Sequence, residues 1–121
     1  CEHGCIYCYA RNSHEYWGFS AGLDFESKIM VKPTAPKMLD DLFNSPKWKP
    51  SPIEISGNTD CYQPAERRFR ITRGLLETFV KYRNPLGLIT KNALILRDLD
   101  LLTQLAERNL VHVYISLTTL N

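Results

Sequence analysis

The sequence has 121 residues, of which 44% are hydrophobic and 23% are charged, and this length is enough for one domain with a hydrophobic core. The formal net charge of +2 is too small to indicate a polyanionic partner, and no apolar run reaches the roughly 20 residues that a membrane helix needs. Because the chain begins at Cys1 rather than at Met, we expect residues 1–121 to be a piece of a longer protein.

The first half of the chain predicts few regular elements. Residues 9–26 are rich in aromatic residues, glycine and serine without a period, and they predict a loop. Residues 28–32 predict a short strand, and residues 37–43 predict a short helix. Residues 53–56 alternate apolar and polar side chains, which is typical of a strand.

The second half is more regular. Thr72 is a candidate N-cap for a helix that runs to about residue 83. Residues 86–90 predict a strand, residues 98–108 predict a second helix, and residues 111–117 form the clearest strand of the sequence.

Strands and helices that alternate in this way predict parallel strands joined by crossover helices, an α/β fold. In the last strand the apolar residues alternate with His112, Tyr114 and Ser116, so one of its faces is polar. A strand buried on both faces is usually apolar throughout, which favours a lumen or crevice holding a polar ligand over a merely solvated face. Ligands of such folds gather at the carboxyl ends of the strands. Those ends are residues 57–60, 90–92 and 116–119.

Three of the four cysteines, Cys1, Cys5 and Cys8, crowd into the first eight residues with the spacing C-x3-C-x2-C. Clustered thiols indicate a metal site in a reducing compartment, because soft thiolates suit iron–sulfur clusters or zinc. Structural zinc would need a fourth ligand, whereas a four-iron cluster held by three cysteines keeps one iron open. The candidates for a fourth zinc ligand are His3, His14 and Cys61. The bland alternative is three unligated, reduced cysteines.

The C-x3-C-x-Y-C pattern, with Tyr7 just before the last cysteine, resembles the signature of the radical S-adenosyl-L-methionine (SAM) superfamily. Three further segments resemble the subgroup of spore photoproduct lyase, often labelled DNA-repair photolyase-like. They are Tyr9-Ala10-Arg11, residues 57–66 (GNTDCYQPAE) and residues 89–92 (ITKN). The resemblance covers essentially the whole chain.

The resemblance implies a fold, a chemistry and cofactors. The fold would be a partial (βα)6 TIM-like barrel, truncated at both ends, with residues 1–121 as the N-terminal part of its core domain. A [4Fe-4S] cluster on Cys1, Cys5 and Cys8 would bind SAM at its open iron and cleave it reductively to a 5′-deoxyadenosyl radical, which abstracts hydrogen from the substrate. Because the rest of the barrel lies outside the chain, we expect the chain alone to be inactive. The alternative is a non-catalytic module stapled by zinc or by a structural cluster.

The resemblance also implies which residues contact SAM. Tyr7 would lie near the adenine, and Ser116 would face the ribose. Gly57, Asn58 and Thr59 replace the family's more common Gly-Gly-Glu, and this stretch would receive the methionine amino group. Lys91 would pair with the carboxylate. Each has a bland alternative: a turn at 57–60, a solvated charge at Lys91 and simple packing at Ser116.

Cys61 has three candidate roles. It could donate hydrogen to the substrate radical, as a cysteine does in spore photoproduct lyase, it could be a fourth metal ligand, or it could be a small buried filler. The resemblance further implies a cytoplasmic lyase-like enzyme, an electron donor such as a flavodoxin or ferredoxin, and a nucleic-acid lesion as a candidate substrate. Four arginines could contact phosphates, although a solvated face is favoured by the low net charge. They are Arg67, Arg68, Arg70 and Arg73.

Overall fold

A computed structural model of the chain describes residues 1–121 and contains one parallel sheet of three strands. The strands are β1 (Ile53–Ile55), β2 (Leu86–Thr90) and β3 (Val111–Ile115), and β2 lies between the other two. Parallel neighbours need a crossover connection, and a helical segment accordingly connects each strand to the next. The parallel alternation of strands and helices predicted from the sequence is therefore confirmed.

Five α-helices and two 3₁₀ helices complete the chain. The α-helices are α1 (Leu23–Ser27), α2 (Ala35–Phe43), α3 (Glu66–Phe69), α4 (Ile71–Tyr82) and α5 (Leu99–Ala106), and the 3₁₀ helices are Tyr9–Trp17 and Ala93–Asp98. All three strands and three of the helices were predicted to within a few residues. None of the helices combines the length and the apolar character needed to cross a membrane.

The hydrophobic core lies between the sheet and the helices. Leu86 and Leu88 of β2 point into it beside Phe79 of α4 and Leu105 of α5, and each is at most 2% exposed. Complete burial of one such side chain stabilises the fold by about 1.5–3 kcal/mol. Because successive residues of a strand face opposite ways, the intervening residues of β2 lie on the other face.

That other face of the sheet is polar and open. Glu54, His112 and Tyr114 lie exposed on it, and the carboxylate of Glu54 lies so close over Gly87 that a Cβ there would come within 2.1 Å of Oε1. The predicted division of β3 into an apolar and a polar face is thus present. This face lines an open cavity of about 370 Å³ rather than the lumen of a barrel.

The expected partial (βα)6 barrel is wrong, because the three strands form an open sheet. β1 and β3 each pair with β2 alone, with Ile53 opposite Leu86 and Leu86 opposite Val111. A barrel needs strands whose tilt and stagger bring the two outer strands together. Here β1 and β3 are separate edges.

Two predictions for the N-terminal part of the chain are also wrong. The loop predicted at 9–26 contains the 3₁₀ helix Tyr9–Trp17 and helix α1, and the strand predicted at 28–32 has no strand partner. The carbonyl oxygen of Lys28 instead lies 2.7 Å from Nε2 of the buried His14. A side chain therefore meets the backbone polar group that a neighbouring strand would otherwise satisfy.

The start of α4 differs from the prediction as well. Thr72 is not its N-cap: its hydroxyl donates to the carbonyl oxygen of Cys61 at 2.6 Å. The carboxylate of Glu66 accepts the N–H groups of Ile71 at 2.9 Å and Arg73 at 3.3 Å. A carboxylate at a helix N-terminus satisfies free N–H groups and opposes the positive end of the helix dipole. Glu66, rather than the predicted Thr72, therefore caps the N-terminus of α4.

Candidate functional site

A cavity of about 180 Å³ lies at the carboxyl ends of the three strands. Its lining includes Asn58 and Thr59 after β1, Lys91 after β2 and Ser116 after β3. Tyr9, Ser56, Asp60, Ile89 and Thr90 complete the lining. The structure thus brings together four residues that the sequence assigned to one ligand from three separate parts of the chain.

The segment from Ser56 to Thr59 is fixed by contacts at both ends. Ser56 adopts a left-handed backbone conformation with φ 78°, and its hydroxyl accepts the N–H of Cys61 at 2.8 Å. The Asn58 amide donates to the Ser13 hydroxyl at 3.1 Å. The Tyr9 hydroxyl donates to the carbonyl oxygen of Gly57, so the carbonyl that the resemblance offers to SAM already has one partner.

Lys91 joins the cavity to the cysteine loop, residues 1–8. Its Nζ lies 3.2 Å from Sγ of Cys5 and 3.3 Å from the Tyr7 hydroxyl. Nζ also lies 5.4 Å from the centre of the Tyr7 ring, within cation–π range. The contact with Cys5 raises the pKa of Lys91 above its ordinary value, so the ammonium is present at neutral pH. A positive charge therefore faces both the loop and the cavity.

The cysteine loop is a compact turn. Gly4 has φ +60°, a conformation that glycine adopts without a Cβ penalty, and its N–H donates to the Cys1 carbonyl oxygen at 3.2 Å. Cys1 is 8% exposed and packs with Ala10 and Phe25, and Cys8 packs against that group. Cys5 points elsewhere, toward Lys91. All three thiols are free of disulfides.

The thiols do not converge on one point. No three Cys, His, Asp or Glu side chains stand close enough together to hold a single metal ion. The loop brings Cys1 and Cys8 to one small apolar cluster and places Cys5 beside a cation. The three predicted metal ligands therefore lie on one short loop, but their side chains are not arranged to bind a single metal ion.

Arg11 holds this loop in place, a role that sequence reasoning missed. Its Nε donates to the carbonyl oxygen of Cys5 at 3.1 Å, and its other nitrogens reach the Glu26 carboxylate and the carbonyl oxygen of Gly22. A planar guanidinium can serve several acceptors in fixed directions. The sequence signal was that Arg11 follows Cys8 by three residues, in the segment Tyr9-Ala10-Arg11. Its contacts with Gly22 and Glu26 lie outside the cysteine motif and could not be predicted from it.

Cys61 lies apart from the strand-end cavity. It packs against the main core and lines a different cavity, of about 160 Å³, with Thr59 and Glu66. Burial raises the pKa of the Cys61 thiol to about 12, so the thiol stays protonated at neutral pH. These surroundings are those of a small, half-buried residue that packs against the core.

The four arginines after Cys61 divide into two groups. Arg73 pairs with Asp98 at 2.9 Å and with Asp100 at 2.8 Å, so its charge is neutralised within the fold. The others are exposed, and Arg68 lies 5.2 Å from the centre of the Phe69 ring. The exposed arginines are Arg67, Arg68 and Arg70.

No protein-family model and no solved structure matches the chain. An uncharacterized protein of Mycobacterium tuberculosis and one of Mycobacterium bovis are each 36% identical to it over 117 residues, which is 97% of this chain and 34% of the relative. An uncharacterized protein of Methanocaldococcus jannaschii is 33% identical over 101 residues, 84% of this chain and 36% of the relative. The chain thus spans about a third of the length of these relatives. Because all of them are uncharacterized, they do not indicate an activity for this chain.

Proposed function

We propose that this chain carries the cluster-binding and SAM-binding part of a radical SAM enzyme. One observation supports this most: the ammonium of Lys91 lies 3.2 Å from Cys5 Sγ, at the rim of a cavity lined by Asn58, Thr59 and Ser116. The candidate cluster ligand and the candidate SAM contacts therefore meet at one edge of the sheet. A non-catalytic module held together by zinc or by a structural cluster would account for the three thiols. It would not account for the position of Cys5 beside the cavity.

The donor set of the cysteine loop fits a [4Fe-4S] cluster. Cys1, Cys5 and Cys8 are free thiols on one turn, and each thiolate of such a cluster binds a different iron, so its ligands need not converge on one point. When bound, the cluster supplies the electron for reductive cleavage of SAM to methionine and a 5′-deoxyadenosyl radical, the species that takes hydrogen from the substrate.

Lys91 would receive the carboxylate of SAM. A lysine is cationic at neutral pH, and the side chain is only half-buried, so a ligand can reach it. A charge-assisted contact of this kind is stronger than a neutral hydrogen bond. Asn58 and Thr59 lie on the same cavity wall and would meet the amino group. The cavity is smaller than the roughly 300–1,000 Å³ of most ligand pockets, so it suits the amino-acid end of SAM.

Tyr7 and Ser116 would contact the nucleoside end. Tyr7 is 66% exposed beside Lys91, so its ring is free to pack on an adenine. Ser116 lines the cavity, and its N–H donates to the Thr90 carbonyl oxygen at 2.9 Å, which fixes its backbone at the end of β2. The Ser116 hydroxyl would face the ribose.

The proposal extends to partners. A cytoplasmic one-electron donor such as a flavodoxin or ferredoxin would reduce the cluster. A nucleic-acid lesion is the candidate substrate, supported by exposed Arg67, Arg68 and Arg70 next to Phe69. Binding through phosphate contacts weakens steeply with salt. A salt titration of DNA binding on the full-length protein therefore tests the substrate class separately from the radical chemistry.

The test of the proposed function is anaerobic reconstitution of the full-length protein with iron and sulfide. We expect about four iron atoms per chain and a spectral change on addition of SAM. Cys5→Ala should abolish the cluster, because two remaining loop thiolates cannot hold it. Cys61→Ala is the matched control and should keep wild-type iron content. A colourless protein with one zinc ion, or a Cys5→Ala variant with wild-type iron, would sink the proposal.

A further inference from the structure

Asp60 accepts more hydrogen bonds than any other side chain that lines the cavity at the strand ends. Its side chain is 7% exposed, and both carboxylate oxygens accept hydrogen bonds. Oδ1 accepts the Thr90 hydroxyl at 2.7 Å and the Tyr62 N–H at 2.8 Å, and Oδ2 accepts the Lys91 N–H at 2.9 Å. Asp60 thereby ties the segment after β1 to the last residue of β2 and the residue that follows it.

The cysteine loop rests on the same segment of chain. His3 Nε2 lies 3.2 Å from Asp60 Oδ2, and this nitrogen is buried without a hydrogen-bond partner, so Asp60 is its polar neighbour through an electrostatic contact. The N–H of Glu2 donates to Gln63 Oε1 at 3.1 Å, and the Glu2 carboxylate accepts the N–H of Ala65. Two consecutive loop residues therefore dock on residues 60–65.

We propose that Asp60 is a positioning residue that holds the cysteine loop and Lys91 in a fixed relation to each other. One carboxylate oxygen, Oδ2, faces both His3 of the loop and the backbone of Lys91. The side chain of Lys91 in turn reaches Cys5 of the same loop. Removing Asp60 leaves the contacts of the Lys91 side chain with Cys5 and Tyr7 as the direct link between the loop and the end of β2. The consequence for SAM binding rests on the proposed function, whereas the link itself does not.

The site requires a carboxylate rather than an amide. Each oxygen of Asp60 accepts one backbone N–H, from Tyr62 on Oδ1 and from Lys91 on Oδ2. Asparagine has a single acceptor oxygen, so its NH₂ group must oppose one of these two donors. A buried N–H would then lose its partner, which is the costly way to break a hydrogen bond. Asp60→Asn therefore perturbs the link with almost no change in side-chain volume.

Hydrogen exchange followed by mass spectrometry tests the link in the full-length protein before iron is added. In Asp60→Asn we expect the amides of residues 2–8 and of Lys91 to exchange about tenfold faster than in the wild type. Asp40→Asn is the control, because Asp40 pairs with Lys81 between α2 and α4 and has no contact with Asp60 or Tyr62. Its exchange pattern at residues 2–8 should equal that of the wild type.

A second pair of variants covers the case in which Asp60→Asn does not fold. Thr90→Val removes the hydroxyl that donates to Oδ1 and nearly keeps the shape of the side chain, whereas Thr90→Ser keeps the hydroxyl. Faster exchange at residues 2–8 in Thr90→Val and not in Thr90→Ser supports the proposal. Equal exchange in these two variants overturns it, and so does wild-type exchange in a folded Asp60→Asn protein.

Titration of SAM separates this inference from the proposed function. In the iron-loaded protein, Asp60→Asn should bind SAM about tenfold more weakly at unchanged iron content. If the wild type binds no SAM while the exchange pattern is as expected, the proposed function fails and the link stands. If SAM affinity falls while exchange at residues 2–8 is unchanged, Asp60 acts on the ligand by another route and its positioning role is refuted.

Discussion

Replacing Lys91 by alanine should weaken SAM binding without lowering the iron content of the reconstituted protein. The substitution removes the ammonium at the cavity rim and leaves the backbone N–H that donates to Asp60. Losing a hydrogen bond to a charged group costs about 1.5–3 kcal/mol, which corresponds to about 10- to 150-fold in affinity. Because the Lys91 side chain is half-buried, solvent screening places the expected loss near the lower end, at about tenfold.

The assay is anaerobic equilibrium titration of SAM on the iron-loaded full-length protein, with iron measured on the same samples. Lys37→Ala is the matched control, since Lys37 is an exposed lysine on α2 that pairs only with Asp41. The raised pKa of Lys91 adds a second expectation. Lysine stays cationic below its folded pKa, which here lies above the ordinary value of about 10.4, so SAM affinity should show no lysine titration between about pH 6 and about pH 9.

Two results would refute this reasoning. Unchanged SAM affinity at normal iron content would mean that Lys91 does not receive the carboxylate. Loss of iron together with affinity would instead assign Lys91 to the loop through its contact with Cys5. Lys91→Arg refines the result, because a guanidinium keeps the charge with a different shape and should bind SAM better than alanine does.

Three further predictions concern residues outside the cavity. Cys61→Ala should leave both iron content and 5′-deoxyadenosine yield normal, because the thiol lies against the core; altered products in product analysis would make it the hydrogen donor. Phe79→Ala should lower the free energy of unfolding by about 3–5 kcal/mol in urea titration, because the ring is 1% exposed; a loss below about 1 kcal/mol would contradict this packing. Arg73 lowers the pKa of Asp100 to about 2. The ordinary pKa of an aspartate in the unfolded chain is about 4, so the pair stabilises the fold fully above about pH 4. This stabilisation is lost as the pH falls through about 2. Asp100→Asn should remove that part of the acid dependence in thermal unfolding, and an unchanged acid profile would argue against the pair.

The elements that could be predicted from the sequence are those whose own side chains carry the periodicity. β1 and β3 were predicted from alternating apolar and polar residues, and α5 from leucines on one face, of which Leu102 and Leu105 are buried in the core. The 3₁₀ helix Tyr9–Trp17 has no such stripe, and residues 28–32 are a short apolar run that has no neighbouring strand to pair with. A local apolar pattern does not indicate whether a partner strand exists.

The same limit applies to the barrel. Each strand pattern is local, whereas closure depends on how the outer strands meet, and in this chain β1 and β3 each have a single neighbour. The resemblance supplied the barrel, and the strands of this chain do not form one. The location of the candidate site was nevertheless predicted, because the carboxyl ends of parallel strands share one edge whether the sheet is open or closed.

At that edge of the sheet, the sequence predicted which residues follow the strands. It did not predict which of these residues fix the positions of their neighbours through hydrogen bonds. Asp60 stands in a run of turn-forming residues, and nothing local distinguishes a turn aspartate from one that accepts hydrogen bonds from residues 30 and 31 positions later in the chain. Arg11 likewise follows the cysteine motif with no sign that it reaches back to the carbonyl oxygen of Cys5. Such partners are brought together only by the fold.

The order of the strands explains why Lys91 is the residue at which the candidate contacts meet. β2 is the central strand, so only its carboxyl end has neighbours on both sides, with Asn58 and Thr59 following β1 and Ser116 following β3. A charged residue at the end of β1 or of β3 would have a neighbouring strand end on one side only. The cysteine loop approaches this end from the side of residues 60–65, which places Cys5 against the same ammonium. One cation directly after the middle strand therefore faces both the Cys5 thiol of the loop and the cavity.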